Sequence, residues 1–186
     1  SLMQSTNYFT SVVPHSSHYS VPLRPGCFGR VGSPLTPGAP MFTDVQRERF
    51  HNDGAILIKN VLNDEWLKVL ATGLDACFNE PDGMSSELVM PDTQMRVDQF
   101  PAARSEALRN FIYHSGVADL VAKMIDAPVR FYMDQMFIKP AGESMRTAWH
   151  QDTSYYNVEG DDLIRVWVSP DPVPRGASLE VVRGSH

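Results

Sequence analysis

The chain has 186 residues, 42% of them apolar and 20% charged, with 16 Lys and Arg against 22 Asp and Glu for a net charge of -6. That is the composition of one globular domain, and it excludes a collagen, a coiled coil and a wholly disordered chain. The acidic balance is the reverse of the basic footprint that binds nucleic acid or an anionic membrane surface. No stretch reaches the roughly 18 uncharged apolar residues of a membrane span, so neither nucleic acid nor membrane is an expected partner.

Residues 1–40 are rich in Ser, Pro, Gly, His and Tyr, nearly uncharged, and show no period of 2 or 3.6. They read as an extended or disordered N-terminal segment ahead of a domain over 41–186. The start lacks a basic region followed by an apolar one, so it is unlike a secretory signal, and Ser1-Leu2 before Met3 reads as an addition. Cys27 and Cys77 have no CxxC spacing and read as thiols of a reducing compartment, so a cytoplasmic location is expected.

Thr43 with Gln46 three residues on resembles a capping box, opening a short helix that stops at Asp53-Gly54. Ala55 to Lys59 reads as a buried strand. Asn63 caps a second helix, in which Trp66, Leu67, Leu70, Leu74, Cys77 and Phe78 recur at helical spacing up to the turn at Pro81-Asp82-Gly83. Gly83 to Pro101 is a loop or irregular strand long enough to border a site, with Arg96 and then Arg104 as candidate contacts for an anionic substrate. Short helices follow over Arg104 to His114 and, capped by Ser115, Gly116 to Asp126. After Pro128 the pattern alternates and is rich in β-branched and aromatic residues, predicting strands at Val129 to Ile138, Leu163 to Ser169 and Leu179 to Val182. The plan is helices first and then an antiparallel β domain.

The chemistry centres on Trp149-His150-Gln151-Asp152. On a strand, residues i and i+2 share a face, so His150 and Asp152 present an imidazole and a carboxylate side by side. That is two thirds of the 2-His-1-carboxylate triad that holds Fe(II) with open positions. The spacing alone also fits a strand-end His followed by an Asp turn. Other histidines carry plainer readings: His15 and His18 are solvated in the unpatterned arm, and His51 and His114 complement helix C-termini. Tyr155-Tyr156 is either pocket lining or packed aromatic, and Glu159 to Asp162 reads as a solvated acidic turn.

Residues around the pair resemble one family in order and spacing. Ile138-Lys139-Pro140, then His150-Gln151-Asp152, then Arg165-Val166-Trp167, then Gly184-Ser185-His186 resemble the phytanoyl-CoA dioxygenase family, and Phe50 to Leu62 resembles its opening. The resemblance implies a mainly β fold with flanking α-helices, a cupin-like double-stranded β-helix or jelly roll. It implies an Fe(II)- and 2-oxoglutarate-dependent dioxygenase that hydroxylates a small or medium organic substrate with O2. His150 and Asp152 would be its iron ligands, and Trp167 would line the 2-oxoglutarate pocket. Gln151 is a further contact of that kind, and Lys139 and Gln135 stand where a side chain reaches the cosubstrate, although Lys139 also fits a solvated strand-end charge. Because Asp152 keeps the carboxylate that halogenating relatives replace, hydroxylation is expected.

The family's third iron ligand and its 2-oxoglutarate-binding Arg lie beyond a Gly-Ser-His turn, where this sequence stops, and His186 reads as a turn residue. We therefore expect an incomplete jelly roll and a chain that by itself holds metal and cosubstrate poorly. The alternatives are a catalytically silent jelly-roll binding protein without a complete iron site, and a cupin-like barrel holding another divalent metal.

Overall fold

The computed structural model describes residues 5–14, 18–19, 42–81, 85–90, 93–139, 147–156, 158–159 and 163–186, with side chains for 42–81, 96–139, 147–156 and 163–186. In chain order the elements are β1 (Ser5–Pro14), β2 (His18–Tyr19), α1 (Asp44–Asp53), α2 (Asp64–Asn79), β3 (Ser85–Met90), β4 (Thr93–Gln99), α3 (Glu106–His114), α4 (Val117–Ile125), β5 (Val129–Lys139), β6 (Val158–Glu159) and β7 (Ile164–Val168).

Local chemistry sets the helix ends. The Thr43 hydroxyl accepts from the Gln46 backbone N–H at 3.2 Å while the Gln46 side chain accepts from the Thr43 N–H at 2.9 Å, which satisfies two orphan donors of α1. Gly54 then takes the left-handed conformation at φ 76 and donates its N–H to Phe50 O at 2.8 Å. Asn63 caps α2 through Trp66 N at 2.9 Å. α3 begins two residues later than its predicted start, because Ser105 is its N-cap. α4 is preceded by Gly116 at φ 81 rather than capped by Ser115.

The main sheet is antiparallel with strand order β3-β4-β5-β1-β7, and β2 pairs with β6 apart from it. Helices cover one face. Leu70, Leu74 and Cys77 of α2 meet Leu108, Phe111 and Ile112 of α3 over Met136 and Ile138 of β5, all buried. Ala118 and Val121 of α4 pack on Val129 and Ile164, with Phe50 of α1 at the edge. α2 and α3 approach closely because position 73 is glycine: a Cβ there would lie 2.7 Å from the Leu108 side chain.

A β-bulge keeps β5 on this core. Ser11 pairs with Met133 but Val12 pairs with Phe131, so Tyr132 is an extra residue. Without it the alternation of Met136 and Ile138 would turn Phe131 and Val129 away; with it, both stay against the helices.

Several expectations change. Ala55–Lys59 forms no strand, pairing with none of the described strands, and Leu57 is exposed. Leu179–Val182 is likewise extended chain without a ladder, its apolar side chains exposed. Of the two readings of Gly83 to Pro101, loop or irregular strand, strand is met by the β3–β4 hairpin, and residues 5–14, where no period was legible, supply the strand between β5 and β7. A mainly β character is not what the described residues show: helices on one face of a single five-stranded sheet make an α+β arrangement. Among the described residues no helix is long and apolar enough to cross a membrane.

Candidate functional site

β7 divides its side chains by parity. Ile164, Val166 and Val168 join the apolar clusters, so Arg165 and Trp167 lie on the opposite face of the sheet, away from the helices. On β5, Met136 and Ile138 face the helices, which puts Gln135 and Lys139 on that same second face. The ladder aligns them: Phe9 of β1 pairs with both Gln135 and Trp167, and Ser11 with both Met133 and Arg165. Trp167 and Lys139 are half-buried there.

His150 and Asp152 arrive differently from the sequence expectation. They are not on a strand and do not face a barrel interior: His150 lies in extended chain and Asp152 opens a single 3-10 turn, Asp152–Tyr155. Their donor atoms nevertheless meet, with His150 Nε2 3.2 Å from Asp152 Oδ1. The turn brings the carboxylate back towards the imidazole, which is what i, i+2 strand alternation was expected to do.

Each partner is held through its other heteroatom. His150 Nδ1 is 2.7 Å from Ala148 O, and a carbonyl only accepts, so Nδ1 carries a proton, and in the neutral ring Nε2 then presents its lone pair. Asp152 Oδ2 accepts from Arg165 at 2.8 Å, and the Arg165 guanidinium also donates to Gln135 Oε1. Two acceptors thus face each other across 3.2 Å, an arrangement satisfied by a proton on Nε2 or by a metal cation between them.

The donor set fits a divalent metal in type and spacing. An imidazole and a carboxylate suit a first-row ion, and bonds of about 2.1 Å at a right angle separate neighbouring donors by about 3 Å. The side chains are 39% and 28% exposed, open enough for an ion to enter. Among the described residues no third His, Cys, Asp or Glu completes a metal-binding group with them.

Around the pair, Tyr155 is exposed with its ring 5.8 Å from that of His150. Tyr156 is half-buried, 5.6 Å from the Arg165 guanidinium and edge-on to Tyr132 at 5.7 Å. Of the two readings of this Tyr pair, packing suits Tyr156, and Tyr155 is the one left open.

Gln151 points elsewhere. Its amide donates to Ser185 O, in the turn whose Gly184 N–H donates to Asp53 O at 3.0 Å. His186 completes that turn, with Nε2 3.1 Å from His51 O and its ring against Gly54, where any Cβ would collide with it. The Gly-Ser-His turn is therefore docked on the C-terminus of α1, as befits a turn residue at 186.

Arg96 and Arg104 are engaged at the end of α2 and on Asp98. Arg96 donates to Phe78 O at 2.6 Å and Cys77 O at 3.1 Å, satisfying carbonyls at the end of α2. Arg104 forks onto Asp98, which is fully buried. Burial pushes the neighbouring Cys77 thiol above its usual range, partly offset by Arg104. What sequence reasoning missed is the ion pair between Arg165 and Asp152; the signal was the parity of β7, which sets Arg165 beside Trp167. The Ala148 carbonyl left no signal at all.

The family model for phytanoyl-CoA dioxygenase (PhyH) matches residues 50–186. No curated protein and no solved structure matches the chain. The chain belongs to the phytanoyl-CoA dioxygenase family, whose members are generally 2-oxoglutarate-dependent dioxygenases using Fe(II), and whose fold is a cupin-like jelly roll.

Proposed function

We propose that this protein is an Fe(II)- and 2-oxoglutarate-dependent dioxygenase that hydroxylates a small or medium organic substrate, with His150 and Asp152 as metal ligands. The observation that carries the reading is the facing of His150 Nε2 and Asp152 Oδ1 at 3.2 Å, each side chain anchored through the atom that would not ligate. Fe(II) held there supplies O2 activation coupled to oxidative decarboxylation of 2-oxoglutarate, one oxygen atom ending in succinate and the other in the substrate C–H bond.

The chain's own residues prepare the site for that chemistry. Ala148 O fixes the His150 tautomer, and Arg165 fixes the carboxylate. Trp167, Gln135 and Lys139 share with Arg165 the sheet face away from the helices, which supports them as walls for the cosubstrate, Lys139 adding a positive charge for a carboxylate. Gln151, with its amide on Ser185 O, supports the loop from behind.

A second reading is a jelly-roll binding protein without a complete iron site, favoured by the absence of a third donor among the described residues. One experiment separates the two. The oxygenase forms a weak visible charge-transfer band when titrated anaerobically with Fe(II) and 2-oxoglutarate, releases succinate under air, and loses both with Asp152→Ala. A full-length protein that supplies the third His and the 2-oxoglutarate Arg and still shows neither band nor succinate is the binding module.

A further inference from the structure

The atom that organises Asp152 is not a metal ligand but the guanidinium of Arg165. It donates to Asp152 Oδ2 at 2.8 Å, donates to Gln135 Oε1, and lies 5.6 Å from the Tyr156 ring. Its side chain is only 20% exposed, and the Tyr156 ring is itself braced by Tyr132 across the bulge of β5. The guanidinium is therefore oriented by the sheet before any ion arrives, so little ordering remains to be done on binding.

We propose that Arg165 is a positioning residue: by occupying Asp152 Oδ2 it makes the carboxylate present Oδ1 alone to the position shared with His150 Nε2, and so keeps Asp152 a one-oxygen ligand. The inference rests on the metal-binding reading of His150 and Asp152. A carboxylate without this partner turns about its Cβ–Cγ bond and offers both oxygens, taking a second coordination position that a cosubstrate or O2 needs.

Two effects of the guanidinium compete. Its charge repels a cation, which would make its removal tighten metal binding. Its fork fixes the ligand, and loss of such outer partners weakens metal affinity about 10- to 100-fold. Because the guanidinium sits on Oδ2 while Oδ1 is the oxygen that faces His150 Nε2, the carboxylate still meets the cation through Oδ1, and the loss of orientation is the larger effect here.

The test uses Co(II) alone with the whole protein, reading the dissociation constant and the visible ligand-field spectrum, with far-UV circular dichroism as the folding control. Wild type binds Co(II); R165M binds about tenfold more weakly, with a shifted spectrum that reports the changed coordination number. R165K, which keeps the charge and loses the fork, lies between the two. The proposal is overturned if R165M matches or exceeds wild-type affinity with an unaltered spectrum. Should R165M fail to fold, R165K decides alone, an unchanged affinity and spectrum overturning the proposal. A wild type that binds no Co(II) overturns the metal reading itself, and the positioning role with it, which is a different result from an indifferent Arg165.

Discussion

On β7 alone, Ile164, Val166 and Val168 enter apolar clusters beneath the helices, while Arg165 and Trp167 stand on the other side among Asp152, Gln135 and Tyr156. The same five residues of backbone therefore serve two environments. Beneath the helices, Leu70, Leu108, Phe111 and Met136 have no exposed surface, and each such side chain contributes about 1.5–3 kcal/mol on burial. On the other face Met133 is also buried, but Arg165, Gln135 and Asp152 are only half-buried and tied by hydrogen bonds, each contributing about 0.5–1.5 kcal/mol net. Stability belongs to the first face, and placement of reactive atoms to the second.

The division is broken or sharpened most strongly by truncating the core. Phe111→Ala should cost about 3–5 kcal/mol in chemical denaturation, whereas Gln135→Ala should cost about 1 kcal/mol. Comparable losses from the two variants would show that the other face carries the fold as well. Gly73→Ala comes next. Its new Cβ lies 2.7 Å from Leu108, and since α2 and α3 must part or Leu108 must shift, about 1–3 kcal/mol is expected, read from the urea midpoint.

The smallest effect is a pH slope from Cys77, whose thiol is pushed up by burial, with Arg104 opposing. A raised folded-state pKa favours the protonated thiol, so its contribution is complete below the unfolded thiol pKa. Above that value the unfolded chain ionises first and stability falls with rising pH. Denaturation midpoints between about pH 8 and 10 should decline in wild type more steeply than in Cys77→Ala.

What the sequence made legible follows from the range of the forces involved. Thr43, Gln46 and Asn63 announce helix starts because a cap is satisfied within three residues. Ala55–Lys59 has a strand's composition, but a strand needs a neighbouring edge, and that partner is a property of the whole fold. The hairpin of β3 and β4 was legible only as a loop or irregular strand for the same reason: the pairing of β3 with β4, and of β4 with β5, is not written in an alternating pattern of its own. At the site, the types and closeness of His150 and Asp152 were legible. The 3-10 turn that brings the pair together was not, since it depends on bonds from Ala148 O and Arg165 that no i, i+2 rule contains.

The docked Gly-Ser-His turn gives the molecule a cooperative unit that its helices and strands do not outline. Gly184 N–H on Asp53 O, His186 on His51 O and the Gln151 amide on Ser185 O bind three distant stretches of chain at one point. Opening the end of α1 therefore releases the turn, and releasing the turn removes the backstop of the loop that carries His150 and Asp152. In hydrogen exchange the Gly54 and Gly184 amides are expected to share one opening event, so that the end of the first helix would report on how firmly the loop at residue 150 is held.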